Sequence, residues 1–366
     1  MSHAPASVEV LGLTSDELVT LASRRLARGA GLAPRLYAEA MRRGRFEPAL
    51  AGASAEVAAG WQQSFRVAVP AVVASAAERA TAEAAAGAAI EKVALAMLDG
   101  ACVEAVRIPM GRGRESLCLS SQVGCRMGCR FCETGARGWR RDLLAAEIVG
   151  QVVAARQLGW APRSLVFQGM GEPLDNLDQV LQALRVLTDR RGLAFSRDRI
   201  TLCTVGRVAG LERLAALGWK RLNVAFSLTA ANDELRRRLV PSHGGESLAR
   251  LQAALQRLRR RPNFQLGIHY CLLPGWNDRP ADAVEVARFC APLGRTLVHV
   301  IPYNPGTTPL THAPAAADVA RFVDALRAAG VPARCRIPKG RSVMAACGQL
   351  GATAMPEPAP RLGSGR

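Results

Sequence analysis

From about Ser116 onward, short apolar runs alternate with longer stretches in which apolar side chains recur every three to four residues. The short runs predict strands at residues 117–120, 164–168, 199–204, 221–227, 264–272 and 296–301. Helix-period stretches follow them at 145–157, 177–188, 210–217, about 248–258, 281–290 and 315–328. Strands and helices in this alternation build a parallel sheet with right-handed crossovers, so the fold class is α/β. Six such units fit an open, partial (β/α)6 barrel better than a doubly wound sheet, although periodicity alone does not choose between them.

The first part of the chain has a different texture. Residues 1 to about 95 are rich in alanine and mainly helical in pattern. Thr14-Ser15-Asp16-Glu17 reads as a helix start, because short polar side chains satisfy the free N–H groups of a first turn. Residues 36–41, followed by Arg42, Arg43 and Arg45, read as a helix with a basic end. Alternating runs at 92–98 and 103–108 flank Asp99-Gly100, which signals a hairpin. These features predict an accessory domain over 1–95 with its hairpin reaching about 110, then a core over 111–351. The tail 352–366, with Pro356, Pro358, Pro360 and Gly363-Ser364-Gly365, is expected to be disordered. The apolar stretch 67–77 is far short of the ~20 residues of a membrane span. Residues 1–10 carry no basic-then-apolar leader, so a cytoplasmic protein without membrane contact is expected.

Charge narrows the partners. The formal charge is +18, from 48 basic and 30 acidic residues. Such a surplus favours polyanions, and nucleic acid is the commonest of these. Only Lys92, Lys220 and Lys339 are lysines, and alanine is abundant throughout. A coding bias toward alanine and arginine raises the isoelectric point in the same way, so charge alone leaves both readings open.

The candidate chemistry starts with cysteine. Four of ten cysteines, Cys118, Cys125, Cys129 and Cys132, fall within fifteen residues. Cys125-x3-Cys129-x2-Cys132 places three thiolates on one loop, enough to hold three irons of a 4Fe-4S cubane and leave the fourth open. A structural zinc site is the competing reading, with Cys118 as the fourth ligand that a closed site needs. The loop follows the first strand of the βα series, where α/β folds place active sites, and that favours the cluster. Cys102, Cys203, Cys271, Cys290, Cys335 and Cys347 are scattered, which by itself suits small buried hydrophobes. After the second strand, Gly169-Met170-Gly171-Glu172-Pro173 combines a turn that admits a ligand close to backbone with an acceptor for an amine.

Several motifs together resemble one family. They are Cys118 through Cys125, the Gly-Met-Gly-Glu-Pro turn, Ser227-Leu228, Asn232-Asp233-Glu234, and Leu273-Pro274-Gly275-Trp276-Asn277-Asp278. Ile301-Pro302-Tyr303-Asn304-Pro305 and Ala345-Ala346-Cys347-Gly348-Gln349-Leu350 complete the set, in order along nearly the whole chain. The resemblance is to the RlmN/Cfr family of radical S-adenosylmethionine (SAM) adenine methyltransferases, which act on 23S ribosomal RNA and, in one branch, tRNA. Phe131 before the last cysteine fits the radical SAM pattern. The C-terminal Ala-Cys-Gly-Gln-Leu is the discriminating element.

The resemblance implies a radical SAM barrel with a small N-terminal helical and β accessory domain that binds RNA. It implies a 4Fe-4S cluster on Cys125, Cys129 and Cys132, and two molecules of SAM per turnover. An adenine ring carbon is electrophilic and does not attack a sulfonium methyl, so a thiolate must collect the methyl first. In the family that thiolate matches Cys347. A 5′-deoxyadenosyl radical from the second SAM then removes hydrogen from the S-methyl group, and the resulting methylene radical adds to adenine. The second catalytic cysteine matches Cys118, which supports proton removal and release of the adduct, leaving a disulfide to be reduced. A glutamate matching Glu104 carries an acid/base role. Gly171, Glu172, Cys203, Ser227, Leu228, Thr229 and Asn304 match SAM-contact positions. An electron donor such as flavodoxin or ferredoxin and a monomeric state also follow.

This chain departs from the pattern at four places. Thr229 stands where the family usually has histidine, and Cys203 where it has serine. Residues 339–344 carry no acid, and Val240-Pro241-Ser242-His243 replaces Val-Pro-Ile-Asn. Gly171-Glu172-Pro173 matches the carbon-2 branch, while Leu273-Pro274-Gly275 and Thr134-Gly135 lean toward carbon 8. Carbon 2 is the expectation. A paralogue acting on carbon 8 or another RNA adenosine is the alternative, and a non-catalytic, zinc-stabilised RNA-binding protein is the alternative of another class.

Overall fold

A computed structural model describes residues 7–78, 89–242, 246–258 and 265–351. The expected disordered tail, His243, Phe264 and the N-terminal residues 1–6 lie outside the described residues. Three helices open the chain: α1 (Ser15–Arg25), α2 (Ala33–Arg43) and α3 (Ala55–Ser64). Thr14 caps α1 reciprocally, with Glu17 N donating to its Oγ1 at 3.3 Å and Thr14 N donating to Glu17 Oε2 at 2.7 Å. These helices bury Leu18, Tyr37 and Trp61 in the same core that underlies the sheet.

Ten strands form one sheet. They are β1 (Ala71–Glu78), β2 (Ile90–Ala96), β3 (Cys102–Pro109), β4 (Glu115–Leu119), β5 (Ser164–Phe167), β6 (Ile200–Thr204), β7 (Asn223–Ser227), β8 (Leu266–Leu272), β9 (Thr296–Pro302) and β10 (Ala333–Cys335). Each strand pairs with the next along the chain, antiparallel from β1 to β4 and parallel from β4 to β10. Helices α4 (Ala145–Gln157), α5 (Leu177–Leu187), α6 (Val208–Leu217), α7 (Asp233–Leu239), α8 (Leu248–Arg257), α9 (Pro280–Cys290) and α10 (Ala316–Ala328) make the crossovers. The sheet curls into an open barrel, because one cavity touches Ser116, Ser164, Thr201, Asn223, Gly267 and His299, one residue from each of β4 to β9.

The six expected strand–helix units are therefore β4 to β9, and β10 adds a seventh parallel strand. The hairpin at Asp99-Gly100 is also present as β2 and β3, hydrogen-bonded edge to edge with β4. Two strands of this sheet lie outside the expected set. β1 is largely exposed and reads Ala-Val-Val-Ala-Ser-Ala-Ala-Glu, an alanine-rich segment with weak intrinsic preference for a strand. It is held by a bulged ladder to β2. β10 has only three residues, too few for a period to appear. Among the described residues no helix is long and apolar enough to cross a membrane.

Candidate active site

The loops after β4, β5, β6 and β7 meet at the carboxyl end of the barrel. After β4 the chain forms a small ribbon, Gln122–Gly124 against Trp139–Asp142, that frames the cysteine loop. Gly124 has φ +77°, and a Cβ there would lie 1.9 Å from the carbonyl oxygen of Gly138, so the ribbon closes only with glycine at this position. Within the loop, Cys132 N donates to Cys129 O at 3.0 Å and Cys125 N to Gly138 O at 2.9 Å. The three cysteines pack with Met127, Phe131, Leu273 and Tyr303 in an apolar cluster separate from the main core.

All three thiols line one cavity of about 150 Å3. Burial pushes the Cys125 thiol up to about 12 and the Cys129 and Cys132 thiols above their ordinary value, and the neighbouring thiolates add to the shift at Cys129. Thiols in such a place keep their protons until a cation replaces them. The donor set suits an iron–sulfur cluster, in which each cysteine serves a different iron. It does not suit a closed zinc site. Cys118, the fourth ligand that site requires, sits inside β4 opposite Val106 and Val166 and does not line the cavity.

The glycine turn after β5 forms the facing wall. Gly171 has φ +97°, and a Cβ would meet Gln122 Cβ at 2.6 Å, so the turn lies flat against the ribbon. That contact carries Glu172 into the cavity with its carboxylate buried. Thr204 Oγ1 donates to Oε1 at 2.6 Å, Leu174 N to Oε1 at 2.9 Å and Val205 N to Oε2 at 2.9 Å. Burial outweighs these bonds and raises the carboxyl to about 7.

Ser227 and Thr229 close a third side. Thr229 has φ +60°, unusual for a β-branched residue and costing on the order of 1–3 kcal/mol. Its carbonyl accepts from Asn277 Nδ2 at 2.7 Å. Arg236, fully buried, donates to the carbonyls of Ser227 (3.1 Å), Leu228 and Val205, tying the loops after β6 and β7 together.

The C-terminal segment lies across the site. Cys347, Gly348 and Leu350 line the same cavity as the three loop cysteines. Glu133 N donates to Gly348 O at 2.7 Å, Thr134 Oγ1 to Leu350 O at 2.6 Å and Asn304 Nδ2 to Cys347 O at 3.1 Å. Two buried side chains hold the ends of the segment. Lys92 Nζ donates to Met344 O at 3.0 Å, and Gly351 N donates to Glu104 Oε2 at 2.7 Å. Lys92 and Glu104 are themselves paired at 3.1 Å. Glu78 of β1 accepts from Gly340 N and Ser342 N, both at 2.8 Å, and so ties down the residues that precede Cys347.

Cys118 lies within electrostatic reach of Cys347, and burial together with that neighbour raises its thiol to about 12. Cys203 and Cys271, both buried deeply enough to be raised as well, also feel Cys347. All ten cysteines are free, so no disulfide is present.

Of the residues singled out from sequence, the cavity brings together Cys125, Cys129, Cys132, Gly171, Glu172, Ser227, Thr229 and Cys347. It does not take in five others, of which Cys118 sits inside β4. Leu228 is wholly buried in the core, Asn304 binds the Cys347 carbonyl, and Glu104 spends its carboxylate on Lys92 and Gly351. Cys203 lines a different cavity at the opposite end of the barrel. Arg236, Lys92, Gln168 and His269 escaped sequence reading. Arg236 stands in a run of three arginines on α7, and nothing in the local pattern separates it from its neighbours.

Comparison with known proteins agrees with this geometry. Residues 119–290 match the Radical SAM superfamily. The chain is 45% identical over 269 residues to a probable RNA methyltransferase of Sorangium cellulosum, covering 71% of this chain and 66% of that one. It is 42% identical over 262 residues to the dual-specificity RNA methyltransferase RlmN of Syntrophobacter fumaroxidans, covering 71% and 75%. A radical SAM methyltransferase from Sphaerobacter thermophilus has a similar solved structure. Its TM-score is 0.82 at 31% identity, over 94% of this chain and 99% of that one.

Proposed function

This chain belongs to the RlmN-type family of radical SAM RNA methyltransferases, and on that premise we propose that it methylates carbon 2 of an adenosine in 23S ribosomal RNA and in tRNA, with Cys347 as the methyl carrier. One observation carries the reading: Cys347 lines the same small cavity as Cys125, Cys129, Cys132 and Glu172. A generic radical SAM site has no need of a fourth cysteine presented on a separately anchored segment.

The residues divide the work by their surroundings. Cys347 is partly exposed and faces the cavity, so its sulfur can attack the methyl of SAM. The new sulfur–carbon bond forms as the sulfonium–methyl bond breaks, S-adenosylhomocysteine leaves, and the thiol proton passes to solvent. Cys118 is buried and keeps its proton at neutral pH, which disqualifies it as the first nucleophile. Cys125, Cys129 and Cys132 would hold a 4Fe-4S cluster. When bound, the cluster supplies the electron that cleaves a second SAM reductively. Glu172 accepts the ammonium of SAM, Gly171 lets backbone approach it, and Ser227 and Thr229 face the rest of the molecule.

Glu104 and Lys92 act on Cys347 from behind. Each holds one end of the segment 344–351, so we read Glu104 as a positioning residue and not as an acid or base at the ring. The basic surface suits an acidic electron donor of the flavodoxin or ferredoxin type, in the cytoplasm. The test is to incubate reconstituted enzyme, SAM and reductant with 23S rRNA fragments and tRNA, and analyse the nucleosides by mass spectrometry. 2-Methyladenosine is expected. 8-Methyladenosine would move the chain to the other branch, and no methyladenosine in either RNA would contradict the reading.

A further inference from the structure

Cys347 has a neighbour that the proposed reaction leaves idle. With Cys125, Cys129 and Cys132 holding the cluster, two cysteines that line the cavity keep free thiols, Cys271 and Cys347. Both are half-buried. Cys271 reads from sequence as a scattered core residue. In the fold it lies on β8 two residues beyond His269, and both side chains meet the cavity.

Strand register brings the two thiols to one place. Cys271 pairs with Ile301 of β9, which lines the same cavity. Tyr303 N donates to Leu272 O at 3.2 Å, keeping the end of β9 against the end of β8. The next residue, Asn304, holds the Cys347 carbonyl at 3.1 Å. Cys347 is thus anchored from the strand end beside Cys271, and it is the charged neighbour that Cys271 feels most strongly. The anchors of the strap act on backbone: Lys92 on Met344 O, Asn304 on Cys347 O and Glu133 N on Gly348 O. Among the described residues no hydrogen bond engages either thiol, so both side chains are free to turn toward each other. Cys118 also feels Cys347, but from inside β4 and outside the cavity that a small oxidant enters.

We infer that Cys271 is a second disulfide partner of Cys347, and that a low-molecular-weight disulfide closes this bond and locks the methyl carrier. The Cys347 thiolate attacks one sulfur of the small disulfide, and the thiolate that leaves takes up the Cys347 proton. The Cys271 thiolate then attacks the Cys347 sulfur of the mixed disulfide and expels the second small thiol, which takes up the Cys271 proton. Two protein thiols lose two electrons, and one small disulfide becomes two thiols. A dithiol reverses both steps. A sulfur bonded in this way does not attack a sulfonium methyl, so methyl loading waits on reducing conditions. That consequence rests on the proposed function, whereas the bond itself does not.

The test maps disulfides in anaerobic reconstituted holoenzyme after incubation with oxidised glutathione. The reaction is quenched with acid and N-ethylmaleimide, and the protein is digested without reduction for mass spectrometry. Peptides joined through Cys271 and Cys347 should exceed those joined through Cys118 and Cys347 by at least about tenfold, since a buried thiol reacts slowly. Cys271→Val should stop at the mixed disulfide of Cys347 with glutathione. S-methylation of Cys347 by SAM should fall to less than about a tenth in the oxidised parent and return with dithiothreitol. Cys347 joined to any cysteine other than Cys271, or left in the parent as a free thiol or glutathione adduct, overturns the pairing. A Cys271–Cys347 bond in a protein that, fully reduced, gains no methyl on Cys347 overturns the methyltransferase reading and leaves the pairing standing.

Discussion

The two ends of this barrel are built from different materials. The carboxyl end holds a cavity of about 150 Å3 with five cysteines, one buried carboxylate and the C-terminal strap beside an apolar cluster. The amino end holds a larger one, about 690 Å3, lined with cations. Burial acts oppositely on their titratable groups. It raises Glu172 to about 7 at the carboxyl end, while at the amino end burial and the adjacent Arg334 and Arg336 lower His299 to about 4. On the proposed function, the first would hold SAM by its ammonium; the second presents arginines and a lysine with no carboxylate among the described lining residues.

The sharpest way to break the comparison is at the carboxyl end. Cys129→Ala should abolish iron binding and SAM cleavage altogether, because a missing thiolate leaves an iron unheld. Full iron content in that variant, measured by metal analysis, would remove the cluster assignment.

The strap should be nearly as sensitive. Lys92→Met leaves the Glu104 carboxylate buried without its cation, a loss of about 3–5 kcal/mol in stability by denaturant unfolding. Glu104→Gln keeps an acceptor for Gly351 but leaves the Lys92 ammonium buried without its anion, so a loss of the same order, about 3–5 kcal/mol, is expected. Cys347 in either variant should be alkylated faster than in the parent, which loss of global stability that leaves the native state folded would not produce. Unaltered alkylation would leave Glu104 without a positioning role.

Smaller, and opposite in sign at the two ends, are the pH effects. Glu172 stays protonated in the fold up to about 7, whereas the unfolded chain ionises near 4.5, so the fold holds the extra proton and stability falls as pH rises through that window. SAM needs the carboxylate, so its affinity should rise with pH up to about 7, approaching tenfold per unit. His299 is neutral in the fold down to about 4, so its contribution to stability falls as pH drops below 6.5. Calorimetric titration of SAM between pH 5.5 and 8 that gave no slope would remove this role of Glu172. RNA binding by so basic a chain should weaken steeply with salt through counterion release.

The same contrast explains what could be read from sequence. The carboxyl end comes from contiguous motifs: three cysteines in eight residues, a glycine turn, a hexapeptide around Cys347. Each strand–helix unit of the core likewise carries a local period. The amino end takes single residues from the starts of successive strands, and there Arg334 and Arg336 look like any of 48 basic residues. His269 and His299 sit in apolar strands that read only as core. The strap is also invisible locally, because Lys92 lies 252 residues from the carbonyl it holds. Glu104 shows how far resemblance reaches: it names the residue, and only the fold shows which backbone its carboxylate engages.

The most direct test of the account concerns Cys347 and Cys118 side by side. Reconstituted Cys118→Ala and Cys347→Ala proteins are incubated with SAM, reductant and RNA, then examined on a denaturing gel and by peptide mass spectrometry. Cys118→Ala should carry S-methylation at Cys347 and accumulate a nuclease-sensitive covalent complex with RNA, because the adduct forms but does not resolve. Cys347→Ala should form neither, while keeping its iron. Normal RNA methylation by the Cys347→Ala protein would contradict the account at its centre.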